Sequence, residues 1–550
     1  MAANKIKSTG TEKLLRLIVV ISLSLFIIWP VASVFVESFI SNGNFSLKAY
    51  EGLFTKNFKL VYDSFLLALS VMLIAIPVSI AIGIRLTYGP IRGRSLITGV
   101  LALSTISPPF LCSMAYLMLF GRRGLITWRL LGIEWNPYGF HGVLLMEALS
   151  FVGFTSLLIS ATLEHVDGEL ERVSLDLGAS SLRTFTRISL PLALPGIFAA
   201  GLIVFVRSLS DFGTPLFVGG RFQVLASRAY HTLIGVGNFQ LACAMNVLLI
   251  IPAVAILLII PASDNRFALT SAQRHSMKLP AWFIRITSFV TGIFTAIQIL
   301  VYGLIFLGSV TKTWGVDFSL TLRHISGIMK FRMDSITRSL VCSVSAGLGV
   351  CLLSILIIFM LRKIPSWLKR VIYLVSDIPY LIPGTFFGVG YLLAFTHLSF
   401  DISAGFLIAM CCLFRQISPS LRATESGLMQ IDPALWDVVQ DLGGNAANVL
   451  KDLLLPLLFP FLRVGFVNAF SAAMTTTGPI IFLVSPYARV ASIELFESIN
   501  EGDFGAASAM GSLLIIIIAV VNVIAWRFRY QHTRTTKNLI RRQERRASLF

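Results

Sequence analysis

The amino-acid sequence predicts an all-α polytopic membrane protein with about twelve transmembrane helices, arranged as two parallel six-helix repeats. Three observations carry this prediction. Hydrophobic residues make up 56% of the 550 residues and charged residues only 13%, more apolar surface than a water-soluble chain of this length could bury. Apolar stretches of about 20 residues, long enough to cross a bilayer, recur along the chain. One polar loop is repeated in register 265 residues further on.

The apolar stretches define the predicted transmembrane helices. They centre on 15–37, 63–86, 96–120, 141–162, 192–212, 241–262, 285–309, 338–361, 371–396, 401–420, 457–476 and 509–528. The positive-inside rule places the basic N-terminal arm, the basic C-terminal tail and the loops 85–94, 266–285 and 362–370 in the cytoplasm. Arg122, Arg123 and the stretch 323–338 are exceptions. The net charge of +18 is scattered through loops and tail, so it predicts contact with membrane lipid and no nucleic-acid partner.

The internal repeat sets the predicted domain boundaries. Gly237–Met245 aligns with Gly502–Met510 at the shift of 265, whereas Asp63-Ser64 resembles Arg338-Ser339 at a shift of 275, which indicates insertions between the early helices. The first six-helix module is then predicted at 1–262, the linker at 263–284, the second six-helix module at 285–530 and the basic tail at 531–550.

The repeated loop occupies 164–191 in the first half and 425–456 in the second. In each copy a glycine, Gly178 or Gly443, follows a short polar helix, and glycine is the usual residue just past a helix C-terminus. A second short helix outside the bilayer is expected next, and Pro191 is expected to open the following membrane helix. An ordinary amphipathic surface loop is the alternative, but two copies in register favour a docking element.

These loops resemble the EAA signature of the membrane subunits of ATP-binding-cassette (ABC) importers, in which a short coupling helix docks on the ATPase. The fused modules, and phrases such as Gly121-Arg-Arg-Gly-Leu-Ile-Thr127 and Ser210-Asp-Phe-Gly-Thr-Pro-Leu216, look like the ferric-iron-type permease group. The resemblance implies the type I ABC importer permease fold and an ATPase-coupling role for Glu171, Asp176, Gly178, Ile188, Leu190, Pro191, Asp437, Asp441, Gly443, Leu453, Leu455 and Pro456. Arg172 and Asp437 stand where the signature has its glutamate, which puts the polar contacts of that position in doubt.

No phosphate-binding loop of the form Gly-x4-Gly-Lys-Ser/Thr occurs in the sequence. The chain is therefore predicted not to be an enzyme and to need no cofactor of its own, with ATP and Mg on a separate ATPase. The resemblance implies two ATPase copies, one for each loop, and a periplasmic or lipoprotein substrate-binding protein. It also implies a multi-pass protein of the bacterial inner membrane that carries ferric iron, with phosphonate, sugar phosphate and thiamine as alternative cargoes.

Polar residues inside predicted membrane segments are candidates for the transport pathway. They gather after the fifth helix of each half, where glycine and proline are expected to interrupt the helices: Ser210, Asp211, Thr214, Pro215, Thr475, Thr476, Thr477 and Pro479. Helix-end caps at the outer interface are the alternative. Pro108-Pro109, Pro379 and Pro383 are expected to kink the third and ninth helices, and Glu147 is expected to face protein or water.

Two further expectations concern metal sites and the class of transporter. The six cysteines lie in or beside apolar stretches, and the histidines form no ligand cluster, so no metal site is predicted. A secondary transporter is the alternative function, since twelve helices in two parallel halves also suit that class. It would require charged pairs for ion coupling within the membrane, and few such residues are present.

Overall fold

A computed structural model describes residues 10–547 except 42, 109, 123, 260–276, 362–363, 397–402, 433, 445–447 and 486–487; at 10–13, 256–259, 396, 437, 440, 526 and 528–547 only the backbone is described. Most of the described chain is helical, as predicted. In the first half the helices are Gly10–Leu23, Ser24–Ile28, Trp29–Ser38, Lys48–Thr55, Phe58–Tyr88, Arg94–Ile106, Phe110–Phe120, Leu125–Leu130, Phe140–Glu164, Gly168–Asp176, Ser181–Thr184, Phe185–Ser189, Leu190–Ser210, Gly213–Val218, Leu225–Val236 and Phe239–Ile259.

The second half repeats this order. Its helices are Ala281–Val310, Arg323–Phe331, Met333–Leu361, Ser366–Leu381, Gly384–Thr396, Ala404–Arg415, Ile417–Leu428, Ala434–Asp441, Val449–Leu454, Leu455–Thr475, Ala491–Asn500 and Phe504–Ala547. The described strands form two antiparallel hairpins at corresponding places, Ile40–Ser41 with Asn44–Phe45 and Thr311–Thr313 with Asp317–Leu320.

The helices confirm the predicted membrane architecture. Within the described residues eight helices are long and apolar enough to cross a membrane, three more candidates are bent pairs, and Phe239–Ala255 is a shorter apolar helix. Together these cover the twelve predicted segments. The third, ninth and tenth segments are not straight spans, because they bend by 102°, 107° and 46°. Pro108 and Pro383 lie at the two sharp bends, where a missing backbone N–H and the ring disfavour a continuing helix.

The two halves exchange their first helices. Leu14–Ser38 packs against the second half: Phe26 stacks on Phe395 and Phe414 with ring centroids 5.7 and 5.0 Å apart. Ala281–Val310 packs in turn against the first half, where the Gln298 amide donates to the carbonyl of Leu149 at 3.1 Å. The packing thus interleaves the modules predicted at 1–262 and 285–530, and most of the predicted linker, 263–276, lies outside the described residues.

A serine contact recurs in both halves and fixes two equivalent helices, Leu225–Val236 and Ala491–Asn500, which we call the rim helices. Ser64 accepts from the backbone N–H of Leu225 at 2.8 Å, and Ser339 accepts from that of Ala491 at 2.7 Å. This is the serine pair that the 275-residue shift relates. Ser64 lies 24 residues before Tyr88 in one helix, about 36 Å at the helical rise per residue. The first rim helix is thus far from the repeated loop, which Tyr88 contacts.

Candidate coupling surface and transport cavity

Both repeated loops begin with a short helix that has the same caps. These coupling helices are Gly168–Asp176 and Ala434–Asp441. Asp167 and Asp432, which the shift of 265 relates, each accept a hydrogen bond of 2.9 Å from the backbone N–H two residues on. Gly178 and Gly443 follow the helices with φ of +86° and +79°, the left-handed conformation that favours glycine. The predicted helix ends are confirmed at both loops.

The segment after each glycine differs from the prediction. Among the described residues of the two loops, the second helix is not separate from the span: Ser181–Ser210 is one 30-residue helix, and Val449–Thr475 is its counterpart. Each contains a π-helical turn, Phe185–Ser189 or Val449–Leu454, immediately before the span's proline. A proline cannot donate to the residue four positions earlier and its ring crowds that carbonyl, which favours a wider turn there. Pro191 and Pro456 therefore lie in the first turn of the α-helices Leu190–Ser210 and Leu455–Thr475, as predicted for Pro191, and the π-helical turn joins each of these helices to the residues before it.

The outward face of each coupling helix carries three exposed apolar side chains in register. Leu170, Val173 and Leu177 are 47%, 56% and 83% exposed. Their counterparts 265 residues on, Leu435, Val438 and Leu442, are 40%, 48% and 82% exposed. We call these two sets the apolar triplets. Exposed apolar clusters in membrane subunits outside the spans are typical of docking surfaces. The sequence analysis missed them, although their spacing of three and four residues along a short helix is the pattern of one helical face.

The inward face differs between the two loops. In the first, Glu171 is buried, and its Oε1 accepts from the Tyr88 hydroxyl at 2.7 Å and the Ser189 hydroxyl at 2.6 Å. In the second, Trp436 occupies the equivalent position, 6% exposed, and stacks on Phe359 with ring centroids 6.4 Å apart. The predicted coupling residue Glu171 therefore anchors the helix to the membrane domain and is not part of its exposed face.

The remaining predicted coupling residues divide by exposure. Asp176, Gly178, Asp441 and Gly443 are exposed at the C-terminal ends of the coupling helices. Six others lie at the start of the following span, where Leu453 is buried, Ile188 and Leu190 are half-buried, and Leu455, Pro191 and Pro456 are exposed. Asp437 lies in the second coupling helix, and its side chain is outside the described residues.

A cavity of about 600 Å³ lies where the two halves meet. Six of the eight predicted pathway residues line it: Ser210, Asp211, Thr475, Thr476, Thr477 and Pro479. Thr214 and Pro215 are buried behind its wall in the short helix Gly213–Val218. The interruptions expected after the fifth helix of each half are present, because Leu190–Ser210 ends at Ser210 and Leu455–Thr475 ends at Thr475.

Asp211 fits both interpretations of this region, since it caps a helix and also lines the cavity. Its Oδ1 caps the helix Gly213–Val218, accepting from the backbone N–H of Gly213 at 3.0 Å and of Thr214 at 3.3 Å. Its side chain also lines the cavity. Close by, Glu147 is fully buried and accepts a hydrogen bond from the Ser208 hydroxyl. Glu147 thus faces protein interior, as expected.

An aromatic cluster from both halves bounds the cavity on the side of the rim helices. Phe212, at the cavity wall, lies 5.6 Å from Tyr230 of the first rim helix and 5.7 Å from Phe496 of the second. Phe496 also contacts Phe217, with ring centroids 5.0 Å apart. Gly478 packs under Phe212, where an added Cβ would lie 3.2 Å from the ring. We call these aromatic residues the aromatic cluster.

Three arginines in the cavity wall were missed by the sequence analysis. Arg207, Arg415 and Arg463 all fall within predicted membrane segments and line the cavity. The rule that singled out polar residues in the membrane applies equally to arginine and identifies all three. No group of three or more His, Cys, Asp or Glu side chains that could hold a metal ion occurs among the described residues.

Comparison with known proteins gives a family and several relatives. Residues 1–268 and 353–537 match the family described as binding-protein-dependent transport system inner membrane component. A ferric transport system permease protein of Actinobacillus pleuropneumoniae is 26% identical over 530 residues, covering 92% of this chain and 77% of that protein. A putative ferric transport system permease protein of Haemophilus influenzae is 27% identical over 495 residues, covering 86% and 78%. A molybdenum transport system permease protein of Escherichia coli is 34% identical over 162 residues, covering 28% and 70%.

The family match covers both halves and both coupling loops. Members of the family are ABC permease subunits, not enzymes themselves, and the family implies an ATPase and a substrate-binding protein as partners. The helical membrane architecture, the repeated coupling helices and the family match agree. The chain therefore belongs to the inner membrane components of binding-protein-dependent transport systems, and it is a multi-pass ABC permease with two fused modules.

Proposed function

We propose that this chain is the permease of an ATP-driven importer for ferric iron, which moves its cargo by alternating access. Two relatives that align with most of the chain are named as ferric transport permeases, and this supports the choice of cargo. Phosphonate, sugar phosphate and thiamine are the alternatives within the same importer class.

The observation that carries the ATP-driven mechanism is the pair of apolar triplets on the two coupling helices. They are in register, exposed, and fixed to the membrane domain from behind by Glu171 or Trp436. A surface that occurs twice fits two copies of one partner, so we assign one ATPase subunit to each coupling helix. ATP and Mg belong to those partner subunits.

The arrangement of coupling helices, cavity and rim helices supports a transport cycle. ATP binding would draw the two ATPase subunits together and, with them, the coupling helices. Because Ser181–Ser210 and Val449–Thr475 run without a break from the loops to the cavity wall, such a movement would be transmitted along rigid helices. Separation of the rim helices would then part the aromatic cluster and open the cavity to the binding protein. ATP hydrolysis would then make the cavity open again toward the coupling helices.

This cycle sets the orientation in the membrane. The coupling helices and both termini would face the cytoplasm, in agreement with the basic residues of the tail. The rim helices and the two hairpins would face the periplasm, where a soluble or lipid-anchored binding protein delivers cargo. A weakly binding polar cavity suffices for the permease, since the binding protein makes the first selection.

Purification of the chain from its native membrane tests the proposal. We expect an ATPase to copurify at two copies per chain, and the reconstituted complex with its binding protein to accumulate radioactive iron in proteoliposomes only when ATP is supplied. Recovery of the chain without an ATPase under gentle conditions, together with uptake driven by an ion gradient, would instead indicate a secondary transporter.

A further inference from the structure

The wall of the cavity carries an excess of positive charge. Three guanidinium groups, those of Arg207, Arg415 and Arg463, line it, and Asp211 is the only carboxylate among the described residues that do so. Arginine stays protonated in proteins. The wall is therefore cationic whether or not Asp211 is ionised.

The charged ends of two of these arginines lie at the cavity wall itself. The Arg207 guanidinium donates to the Tyr380 hydroxyl at 3.3 Å and lies 4.3 Å from the centre of the Phe154 ring. The Arg415 guanidinium donates to the carbonyl of Ile382 at 3.5 Å. Tyr380, Phe154 and Ile382 all line the cavity as well. Both guanidinium groups thus have donors left for a passing solute.

The two charges are not neutralised by the protein. Within the part of the chain that the structure describes, neither Arg207 nor Arg415 is ion-paired, whereas nearby Arg422 pairs with Asp377 at 2.8 Å and with Glu425 at 3.5 Å. Uncompensated charge within a membrane domain is costly, and its presence indicates a function in the pathway.

Each of these two arginines occurs in only one of the two repeats. At the shift of 265, Arg207 corresponds to Ala472 and Arg415 to Ser150. Neither arginine is thus required by the architecture that the two halves share. This asymmetry fits a role in handling cargo better than a role in folding each module.

We propose that cargo crosses this cavity as an anion, held through an oxyanion group by Arg207 and Arg415. Guanidinium groups bind carboxylate and phosphate oxygens in a matching planar geometry, while a bare trivalent cation would be repelled by the cationic wall. The inference rests on the proposed function and specifies its substrate class. The oxyanion belongs either to the ligands of a complexed ferric ion or to a phosphorylated organic solute.

Uptake of two radiolabelled probes by the reconstituted importer, with its ATPase and binding protein, tests this inference. The probes are ferric citrate carrying both ⁵⁵Fe and ¹⁴C, and ³²P-labelled glucose 6-phosphate. Entry of ¹⁴C together with ⁵⁵Fe identifies the oxyanion as the ligand of iron. Entry of ³²P without ⁵⁵Fe identifies a phosphorylated solute, which overturns the iron cargo and leaves the anionic pathway standing. Entry of ⁵⁵Fe without ¹⁴C overturns the inference and leaves the proposed function standing.

Variants of the wall arginines give the second arm of the test. Arg207→Gln and Arg415→Gln are expected to lower uptake at least about tenfold, since a charged hydrogen bond contributes roughly 1.5–3 kcal/mol, while Arg207→Lys and Arg415→Lys keep most of it. Arg285→Gln, an exposed position away from the cavity, is the matched control. Stimulation of ATPase activity by the loaded binding protein reports that each variant is folded and assembled.

The outcomes separate the two proposals. Wild-type uptake with unchanged uptake by both glutamine variants overturns the anionic pathway alone. Loss of uptake in the lysine variants as well, with ATPase stimulation intact, also counts against it, because the charge would then not be what matters. Failure of the wild-type complex to take up either probe with ATP overturns the proposed iron importer and, with it, this inference.

Discussion

In the first half of the molecule the coupling helix turns a carboxylate inward, and in the second half the same position holds a tryptophan. Glu171 is fixed by two hydroxyl groups, those of Tyr88 and Ser189, whereas Trp436 is fixed by stacking on Phe359. The outward apolar triplets, by contrast, match residue for residue. The two halves thus hold the same exposed surface through polar contacts in one case and apolar burial in the other.

This difference indicates which side of the coupling helix the ATPase partner would constrain. Under the proposed function two copies of one ATPase subunit recognise this surface, which would require it to be the same in both halves, while the anchoring side has only to fit its own half. Three experiments test this division and a fourth tests one of the hairpins; they follow in order of decreasing expected effect.

The largest effect is expected from charges placed in both apolar triplets. Leu177 and Leu442 are more than 80% exposed, so Leu177→Asp with Leu442→Asp is expected to leave the fold unchanged but puts a carboxylate into each proposed docking surface. Burying a leucine side chain contributes about 1.5–3 kcal/mol to binding. We therefore expect that the ATPase no longer copurifies with the double variant and that ATP-driven uptake falls more than about tenfold. Leu320→Asp, 80% exposed on a hairpin strand, is the matched control. An ATPase that stays bound to the double variant would exclude these surfaces as docking sites.

A smaller effect is expected at the glycines that end the coupling helices. Gly443→Glu and Gly178→Glu force a side chain into the left-handed conformation, at a cost of about 1–2 kcal/mol. We expect the corner of the loop to shift, so that ATP hydrolysis continues while transport drops. Gly52→Glu, at a helical position with open space around it, is the control. Normal transport by both coupling-loop variants would show that the docking assignment is wrong.

The anchors are expected to affect stability more than coupling. Trp436→Ala removes a buried aromatic side chain and should lower the free energy of unfolding by about 3–5 kcal/mol. Glu171→Gln keeps an acceptor for Tyr88 and Ser189 but loses the charge, and about 1–2 kcal/mol is expected. Apparent melting temperatures of the purified variants in detergent show which of the two substitutions destabilises the protein more. A greater loss from Glu171→Gln would mean that the polar anchor is the stronger one.

The smallest effect is expected in the second of the two hairpins. In the second hairpin the backbone N–H of Ser319 and the Lys312 ammonium, 2.9 Å away, hold the pKa of the Asp317 carboxyl below its ordinary value. A lowered pKa stabilises the fold above the unfolded-state pKa of about 4, and this contribution is lost as pH falls through the folded value. Asp317→Asn should therefore reduce the difference in melting temperature between pH 7 and pH 3 by a small amount. An unchanged pH dependence would show that Asp317 does not stabilise this hairpin.

Much of the coupling surface could be read from local sequence. Gly178 and Gly443 were predicted to end helices because glycine alone adopts positive φ without strain, and both do. Pro191 lies in the first turn of the α-helix Leu190–Ser210, as predicted, but a π-helical turn joins this helix without a break to the short helix before it. The preference of proline for a first turn does not tell whether the residues before it are helical as well.

The cavity was partly predictable. The run Thr475–Thr477 and the pair Ser210–Asp211 stood out because polar residues interrupt apolar segments there, and the structure brings them to one cavity. Thr214 and Pro215 belong to the same sequence pattern but lie behind the wall, because the helix Gly213–Val218 turns them away. Which side of a short helix faces a cavity depends on its neighbours in space.

The sequence by itself determined the membrane class, the two repeats, the position of the coupling loops and the helix ends set by glycine. Composition, period and backbone preference act locally, and these features depend on nothing else. Only the tertiary structure decided that the first helices are exchanged between halves, that Glu171 faces inward, and that Arg207 and Arg415 reach one cavity. Those arrangements join residues up to several hundred positions apart, and packing between helices, not any preference of a single helix, selects them.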